Sequence, residues 1–522
     1  MRLFHISLMA VFCLILTSGI ATAQISSGGE PASFHYKVGA SIPVITMPTV
    51  DVEALLAEDE AEEKLGVPFR FGFPHDVSLN LDNSGVWETL DDGGRLWRLA
   101  IECPGAYSIN IIYDQYRVPD GARFHLYTED KQMILGAFTS RNNKDHGRFA
   151  TAPTRGEKVI LEYYLPASVN NRGLLSIGRI VHGYKDVFFG RSTKGGEPGF
   201  GKSGDCNVNV NCPGWEDWSS ESRSVAMILN SRGIRICTGA LVNNVRQDQT
   251  PYFLSANHCL GEEETWVLMF NYESPTCENI DGPTWMTISG TTLLAANDYS
   301  DFALLQLSAQ PPPSYNVFYA GWTLSEDPSP TSVCIHHPSG DIKKISLDDD
   351  PLVPTDYLAY SGDSHWQVGH WETGTTEPGS SGSPLFDPDH HIVGQLHGGY
   401  ASCKKIKPDW YGMFSKSWNY GATPETRLQD WLDPDNTGTL ALDGMDSECC
   451  VGMRGNADGD PNDSVDLMDL LFLVEWLWNG GEDPPCKKEA NVDGLAEVDA
   501  MDLVYLVEYF WNSGPAPVAC EP

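Results

Sequence analysis

The run TEPGSSGSPLFD, from Thr376 to Asp387, sets two serines between glycines just ahead of a short apolar stretch. A serine hydroxyl is a weak nucleophile until a base takes its proton, a third group orients that base, and N–H donors face the oxyanion that forms. Small residues leave room for such backbone donors, and Gly379, Ser380 and Gly382 supply that smallness around Ser381. The strand-to-helix elbow G-x-S-x-G is excluded, because Ser383 and Pro378 stand at its outer glycine positions. What remains is G-x-S-G-x-P over Gly379, Ser381, Gly382 and Pro384, followed by LFD and HIVGQLHGG, which read as the two strands of a hairpin. A flexible Ser/Gly linker has the same composition, so the other members of the set must decide. His258 ends the run PYFLSANH and directly precedes Cys259. Asp301 opens the apolar run FALLQL, where a buried carboxylate is placed to orient an imidazole, and Asp298 is the less favoured alternative. A serine, a histidine and an aspartate of this kind carry acyl transfer.

Short strands and tight turns must hold these groups, and the chain is rich in both. WRLAIEC, YSINIIYD, ARFHLYTED, KVILEYYL and LLSIGRIVHGY recur through residues 24–200, separated by turn residues, and read as a β-sandwich. EALLAEDEAEEKLG is an acidic helical segment ahead of them that Gly66 would stop. No catalytic constellation occurs in this region. A pro-segment is one reading of it and a plain binding module the other. STKGGEPGFGKSGDC, from Ser192 to Cys206, has little to bury and reads as an exposed linker open to proteolysis. Residues 203–446 are a second β-rich domain, and the texture changes again over 447–522.

The N-terminus predicts export. Arg2 provides a basic start, Leu8 to Leu16 an apolar core, and Ala21-Thr22-Ala23 a cleavage site, so residues 1–23 read as a signal peptide. Phe12 is too large for lipoprotein processing at Cys13. Of 13 cysteines, those beyond the leader read as disulfides in an oxidising compartment. No C-x-x-C pair supports zinc. A formal net charge of −37 repels phosphate backbones, which argues against a nucleic-acid partner. No later apolar run approaches the roughly 20 residues of a membrane span.

The order His258, Asp301, Ser381 is that of chymotrypsin-like proteases. SGDCNVNVNCP, CTGALVNN, YFLSANHC, SDFALLQL, FYAGW, IHHP, TEPGSSGSPLF, GQLHGG and RLQDWLDP further resemble the secreted bacterial lysyl endopeptidases, over roughly Ser203 to Asp446. The resemblance implies two six-stranded β-barrels with the site between them. It implies Ser381 as nucleophile, His258 as general base, Asp301 as its orienting acid, and the Gly379 and Ser381 amides as the oxyanion hole. It pairs Cys206 with Cys403, Cys212 with Cys277, and Cys237 with Cys259, leaving Cys334 a buried thiol. It reads IHHP, with His336 and His337, as structural. It makes Asp409, in PDWYG, the partner of a substrate lysine, with Glu377 as a second pocket carboxylate. It places His397 and Gly398 beside the pocket and sets Tyr360 where the family carries a tryptophan stacked on that histidine. Thr375 stands where trypsins carry their pocket aspartate, and Ser380 where they carry the aspartate that captures a new N-terminus, so neither device is expected at those positions. Lys194–Gly195 and Lys202–Ser203 are the candidate self-processing bonds.

The tail holds an internal repeat of about 33 residues: Asp466, Asp469 and Trp478 recur as Asp499, Asp502 and Trp511. Asn456, Asp458, Asp460, Asp466 and Asp469 form an EF-hand-like loop of hard oxygen donors, which suits Ca²⁺. The second copy offers Asn491, Asp493, Asp499 and Asp502, with Leu495 in a ligand's place. Loop plus amphipathic helix, duplicated, resembles a type I dockerin, which implies a cohesin-bearing scaffold as partner. Cys449, Cys450, Cys486 and Cys520 are candidates to staple this module, with pairing unread. The whole is therefore expected to be mainly β: a β-sandwich-like pro-domain, a chymotrypsin-like double β-barrel, and a small α-helical dockerin-like C-terminal domain. The expected activity is that of a secreted lysyl endopeptidase acting on proteins without a catalytic cofactor. A protease-like scaffold that only binds, and a protease of broader specificity, are the other readings.

Overall fold

The computed structural model describes residues 29–63, 67–186, 203–357, 362–405, 407–447, 450, 453–459, 464–479, 481, 484, 486–495 and 498–520. The leader, Gly66, most of the linker with Lys194 and Lys202, Tyr360, Cys449 and Asp460 lie outside them. Among the described residues, no helix is long and apolar enough to cross a membrane.

The five β-type runs of the first region form strands Arg95–Glu102, Ser108–Arg117, Arg123–Thr128, Lys158–Leu165 and Leu174–Gly183. They divide between a six-stranded and a five-stranded sheet, which face each other as a sandwich. Leu99, Ile101, Ile109, Ile111, Phe124, Leu126, Leu161 and Ile177 fill the space between. The acidic run before them is helical over Val52–Glu63.

The second region, residues 203–446, is mainly β. Its first sheet has seven strands, with Val225–Leu229, Arg235–Val242, Tyr252–Ala256 and Phe302–Leu307 consecutive neighbours. Thr287–Ser289 pairs with Val267–Phe270, and after a bend at Gly290 the chain continues as Thr291–Asn297 against Phe302–Leu307. One bent segment thus joins both edges of the sheet and closes it. The second sheet has ten strands, against the six implied for each barrel. Two of the additional strands are short and come from the ends of the region, Val208–Asn209 before the barrels and Ala441–Leu442 after them. Met445–Asp446 pairs with Phe318–Tyr319 in a separate two-stranded sheet. Side chains of both sheets meet in one core that includes Leu254, Phe302, Trp322, Ile335, Phe386 and Ile392.

Among the described residues the tail holds two longer helices, Leu467–Asn479 and Ala500–Trp511, with the short helix Lys487–Ala490 between them, around a separate small core of Leu473, Val492, Leu503 and Leu506. Its disulfide pairs Cys450 with Cys520, and Cys486 is also disulfide-bonded.

Candidate active site

Strand Tyr252–Ala256 delivers His258 on the next turn, and the turn before strand Phe302–Leu307 delivers Asp301. These two strands are antiparallel neighbours, with Ala256 opposite Phe302, so the histidine and the aspartate leave the same end of the sheet. The Asn257 N–H donates to the Asp301 carbonyl at 2.8 Å. The His258 N–H donates to Asp301 Oδ1 at 3.0 Å, and His258 Nδ1 stands 2.7 Å from Oδ2. Asp301 is buried, whereas the imidazole is part-exposed. The carboxylate therefore accepts the Nδ1 proton and leaves Nε2 free to take another from a substrate-side group. Asp298, the alternative, is exposed.

Ser381 arrives from the other barrel. Its carbonyl accepts the Thr238 N–H at 2.8 Å, which ties the Ser381 turn to strand Arg235–Val242. Gly382 adopts φ +80°, and a Cβ there would meet Ser255 Oγ at 2.3 Å and Ala256 N at 2.8 Å. Glycine at this position thus lets the turn lie against the strand that ends at His258. Cys259 Sγ, bonded to Cys237, is 3.9 Å from His258 Nε2 and 4.0 Å from the Ser381 carbonyl oxygen, so the disulfide touches both partners. The Ser380 and Gly382 N–H groups are taken by the Glu377 and Leu396 carbonyls. Those of Gly379 and Ser381 have no hydrogen-bond partner among the described residues, and neither has the Ser381 hydroxyl. Alternate amides left open on one turn are the arrangement an oxyanion needs, and serine–imidazole contacts are commonly long in ligand-free sites.

Asp409 lies fully buried on strand Asp409–Met413, beside strand His391–Gly399. Its Oδ2 accepts Thr376 Oγ1 at 2.7 Å and Trp371 Nε1 at 2.8 Å, and its Oδ1 accepts the Ala401 N–H at 3.2 Å. A Cβ on Gly399 would lie 1.9 Å from Oδ1, so the carboxylate sits directly against the strand that carries His397 and Gly398. Burial pushes the Asp409 carboxyl above its ordinary range, opposed by the Thr376 and Trp371 hydrogen bonds. A neighbouring cation would relieve that cost.

His397 Nε2 stands 3.7 Å from Asp301 Oδ2, and His397 Nδ1 stands 2.9 Å from His365 Nε2. Burial pushes both His397 and His365 down to about 4, so this pair is neutral near pH 7. Tyr357 packs against His397 with ring centroids 3.7 Å apart and planes tilted by 31°, and His258 stacks on His397 at 5.7 Å. Tyr360, which the resemblance sets beside this histidine, lies outside the described residues. His365, Trp371 and Thr376 were not singled out. Each sits in an ordinary strand or turn context, and their roles arise from long-range pairing. Glu377, expected as a second pocket charge, accepts the Gly204 N–H at 2.9 Å, Asn207 Nδ2 at 3.2 Å and Ser339 Oγ at 2.7 Å, so both its oxygens are engaged by protein donors.

His336 is buried between Ser380 Oγ at 2.7 Å and Ser346 Oγ at 3.1 Å, and His337 is also buried. The other two disulfides, Cys206–Cys403 and Cys212–Cys277, are formed. Cys334 is a buried free thiol pushed up to about 12, and Cys103 is a second one.

In the tail, the two repeats share the hydrogen bonds around Asp469 and Asp502. Asp469 accepts the Asp458 and Asp466 amides at 3.1 and 2.7 Å; Asp502 accepts those of Asp493 and Asp499 at 3.1 and 2.8 Å. Asp466 and Asp499 each cap the following helix through the Met468 and Met501 amides. Asp469 and Asp502 are almost wholly buried, and Asn456 and Asn491 are buried beside the same loops. Buried carboxylates among further oxygen donors fit a hard cation, since each oxygen keeps a second lone pair.

Residues 45–184 match the sequence model of the lysyl endopeptidase N-terminal domain, and residues 200–412 that of the lysyl endopeptidase C-terminal domain. A lysyl endopeptidase of Pseudomonas aeruginosa is 27% identical over 356 residues, 63% of this chain and 75% of the relative. Among solved structures, an inactive form of Rv3671c from M. tuberculosis H37Rv is 13% identical at a TM-score of 0.26, over 38% of this chain and 84% of that one. A serine endoprotease from Yersinia pestis is 14% identical at a TM-score of 0.26, over 37% of this chain and 59% of that one.

Proposed function

We propose that the chain is a member of the lysyl endopeptidase family, whose N-terminal and C-terminal domain models match residues 45–184 and 200–412, and that it is a secreted serine endopeptidase cutting peptide bonds on the carboxyl side of lysine. Ser381 Oγ attacks the scissile carbonyl while His258 Nε2 takes its proton, and Asp301 holds the imidazole and stabilises its charge. The Gly379 and Ser381 amides receive the oxyanion. His258 then protonates the leaving amine, and water releases the acyl enzyme by the same steps in reverse. The observation that carries this reading is the grip of buried Asp301 on His258 at 2.7 Å, beside a turn whose Gly379 and Ser381 amides stay open. The lysyl preference is supported by Asp409, a buried carboxylate against the Gly398–Gly399 wall. A long side chain ending in a compact ammonium matches a single carboxylate at the end of a deep site.

In the tail, Asn456, Asp458, Asp460, Asp466 and Asp469, and Asn491, Asp493, Asp499 and Asp502, would hold Ca²⁺. The ion would supply structural cohesion to the two loops and none of the hydrolysis. Met468, Leu471 and Trp478 are exposed on one helix, and Met501, Val504 and Trp511 recur at the matching places on the other. This duplicated apolar face supports docking to a cohesin-bearing scaffold.

Peptide mapping of a denatured protein mixture after digestion tests the activity. Ends confined to lysine are expected; a spread over unrelated residues contradicts the specificity, and no cleavage contradicts the activity.

A further inference from the structure

The first described residues of the protease region are already seated. The Ser203 N–H donates to Asp341 Oδ2 at 3.2 Å, and the Ser203 hydroxyl donates to the same oxygen at 2.5 Å. The Gly204 N–H donates to Glu377 Oε1 at 2.9 Å. Asp341 is fully buried. Its Oδ1 accepts the Ile342 N–H at 2.8 Å. Lys344 stands 3.9 Å from Oδ2 and is itself bonded to Asn209 and Asn279. His337 donates toward the Asp341 carbonyl, and Arg235, Asp281 and Tyr272 are among its neighbours.

Both acids are coupled to the nucleophile turn. Ser339, two residues before Asp341, donates through its hydroxyl to Glu377 Oε2 at 2.7 Å and through its N–H to the Pro378 carbonyl at 2.7 Å. The Glu377 carbonyl in turn accepts the Ser380 N–H at 2.9 Å. Ser203 and Gly204 therefore rest on the two loops that shape Pro378 to Gly382.

We propose that hydrolysis of the Lys202–Ser203 bond creates an α-ammonium that Asp341 captures, and that this capture fixes the Pro378–Gly382 turn in its working conformation. Water adds across the peptide bond; Lys202 leaves as a carboxylate, and the Ser203 nitrogen takes a proton to become an ammonium. A neutral donor facing a buried carboxylate thereby becomes a charged one with more protons to offer, and charge-assisted hydrogen bonds are the stronger kind. The geometry selects this bond over Lys194–Gly195, because a cut there leaves Ser203 N an amide. The role differs from that of the trypsin-type aspartate, whose place Ser380 fills. For the agent of the cut, the inference rests on the peptidase reading; the capture itself does not.

The Ser381→Ala chain is prepared uncut, cleaved with an unrelated lysine-directed protease, and pulsed with acetic anhydride at mildly alkaline pH. Mass spectrometry is expected to find Ser203 as the new N-terminus and its amine acetylated at least about tenfold more slowly than in the same chain carrying Asp341→Asn. A glycine inserted between Lys202 and Ser203, which displaces the ammonium but leaves Asp341 intact, is expected to abolish the protection and covers the case in which Asp341→Asn fails to fold. An amine acetylated as fast as in the insertion variant overturns the capture. In the otherwise unaltered chain, fluorophosphonate labelling of Ser381 is expected to accelerate at least about tenfold after the cut, relative to the uncuttable Lys202→Ala chain. Equal labelling before and after overturns the coupling. A complete lack of labelling in both forms refutes the peptidase reading, while the acetylation result still judges the capture.

Discussion

At Asp409 two effects oppose each other: burial favours the neutral acid, and the Thr376 and Trp371 donors favour the carboxylate. Burial wins, so the group protonates above the ordinary carboxylate range. The sign for activity follows. As pH falls through that raised value, the pocket loses its charge and KM for lysyl substrates rises, while substrates lacking the ammonium are unaffected. Asp409→Asn is expected to lower kcat/KM for lysyl substrates at least about a hundredfold at neutral pH and to remove this pH dependence, since it leaves a buried cation unpaired. Glu377→Gln is expected to leave the preference for lysine unchanged, because the Glu377 oxygens are bound by Gly204, Asn207 and Ser339. Asp301→Asn is expected to lower kcat by about 10⁴-fold through the wrong imidazole tautomer; steady-state kinetics on a lysyl ester or amide check all three. The meeting of His258 with Asp301 was legible because each sits in a local motif whose residue types suggest the contact. Tyr357, His365 and Trp371 were not, because their roles exist only where strand His365–Val368 pairs with strand Asp409–Met413 and the preceding loop folds over His397.

At the scale of elements, the 22-residue separation of Cys237 and Cys259 ties strand Arg235–Val242 to the turn that carries His258. Replacing both cysteines by serine is expected to cost about 3 kcal/mol of stability by denaturant titration, mostly from the freed unfolded chain. The long runs of the N-terminal sandwich were readable from turn spacing, since each spans enough residues to show its period. The two-residue edge strands Val208–Asn209 and Ala441–Leu442 were not, since so short a strand has no period and exists only through a distant partner. In the tail, the carboxylates of Asp469 and Asp502 are buried at matching places, and burial pushes Asp469 up to about 7. Chelation by EGTA is expected to lower the melting temperature of the intact chain's C-terminal transition by several degrees, as loss of a native-state ligand requires. Asp469→Ala is expected to reproduce the loss, and differential scanning calorimetry reads both.

For the whole molecule, the N-terminal domain and the protease share a core: Phe71, Ile112, Ala150 and Val181 pack with Met227, Leu229, Val267, Met269, Tyr272 and Ile342. Arg179 and Arg148 add ion pairs to Glu262 and Glu264. These contacts fall on the outer face of the first barrel, so a chain cut in the linker is expected to co-elute as one complex in size-exclusion chromatography. Lys144 donates to the Ser289 carbonyl across this interface, and burial pushes it down to about 7 from an ordinary 10.5. The undocked lysine holds its proton more tightly. Docking should therefore weaken as pH falls from the ordinary value toward about 7, by up to about tenfold per unit, and level off below it. Titration calorimetry of the two cut pieces is expected to show this slope, and Lys144→Met to flatten it. The central claim remains that Ser381 is a nucleophile activated by His258. Reaction of the processed protein with a lysine-mimicking diphenyl phosphonate, followed by peptide mass mapping, tests it most directly. A stoichiometric adduct on Ser381, lost in His258→Ala, is the predicted result; no adduct, or one on another residue, would contradict it.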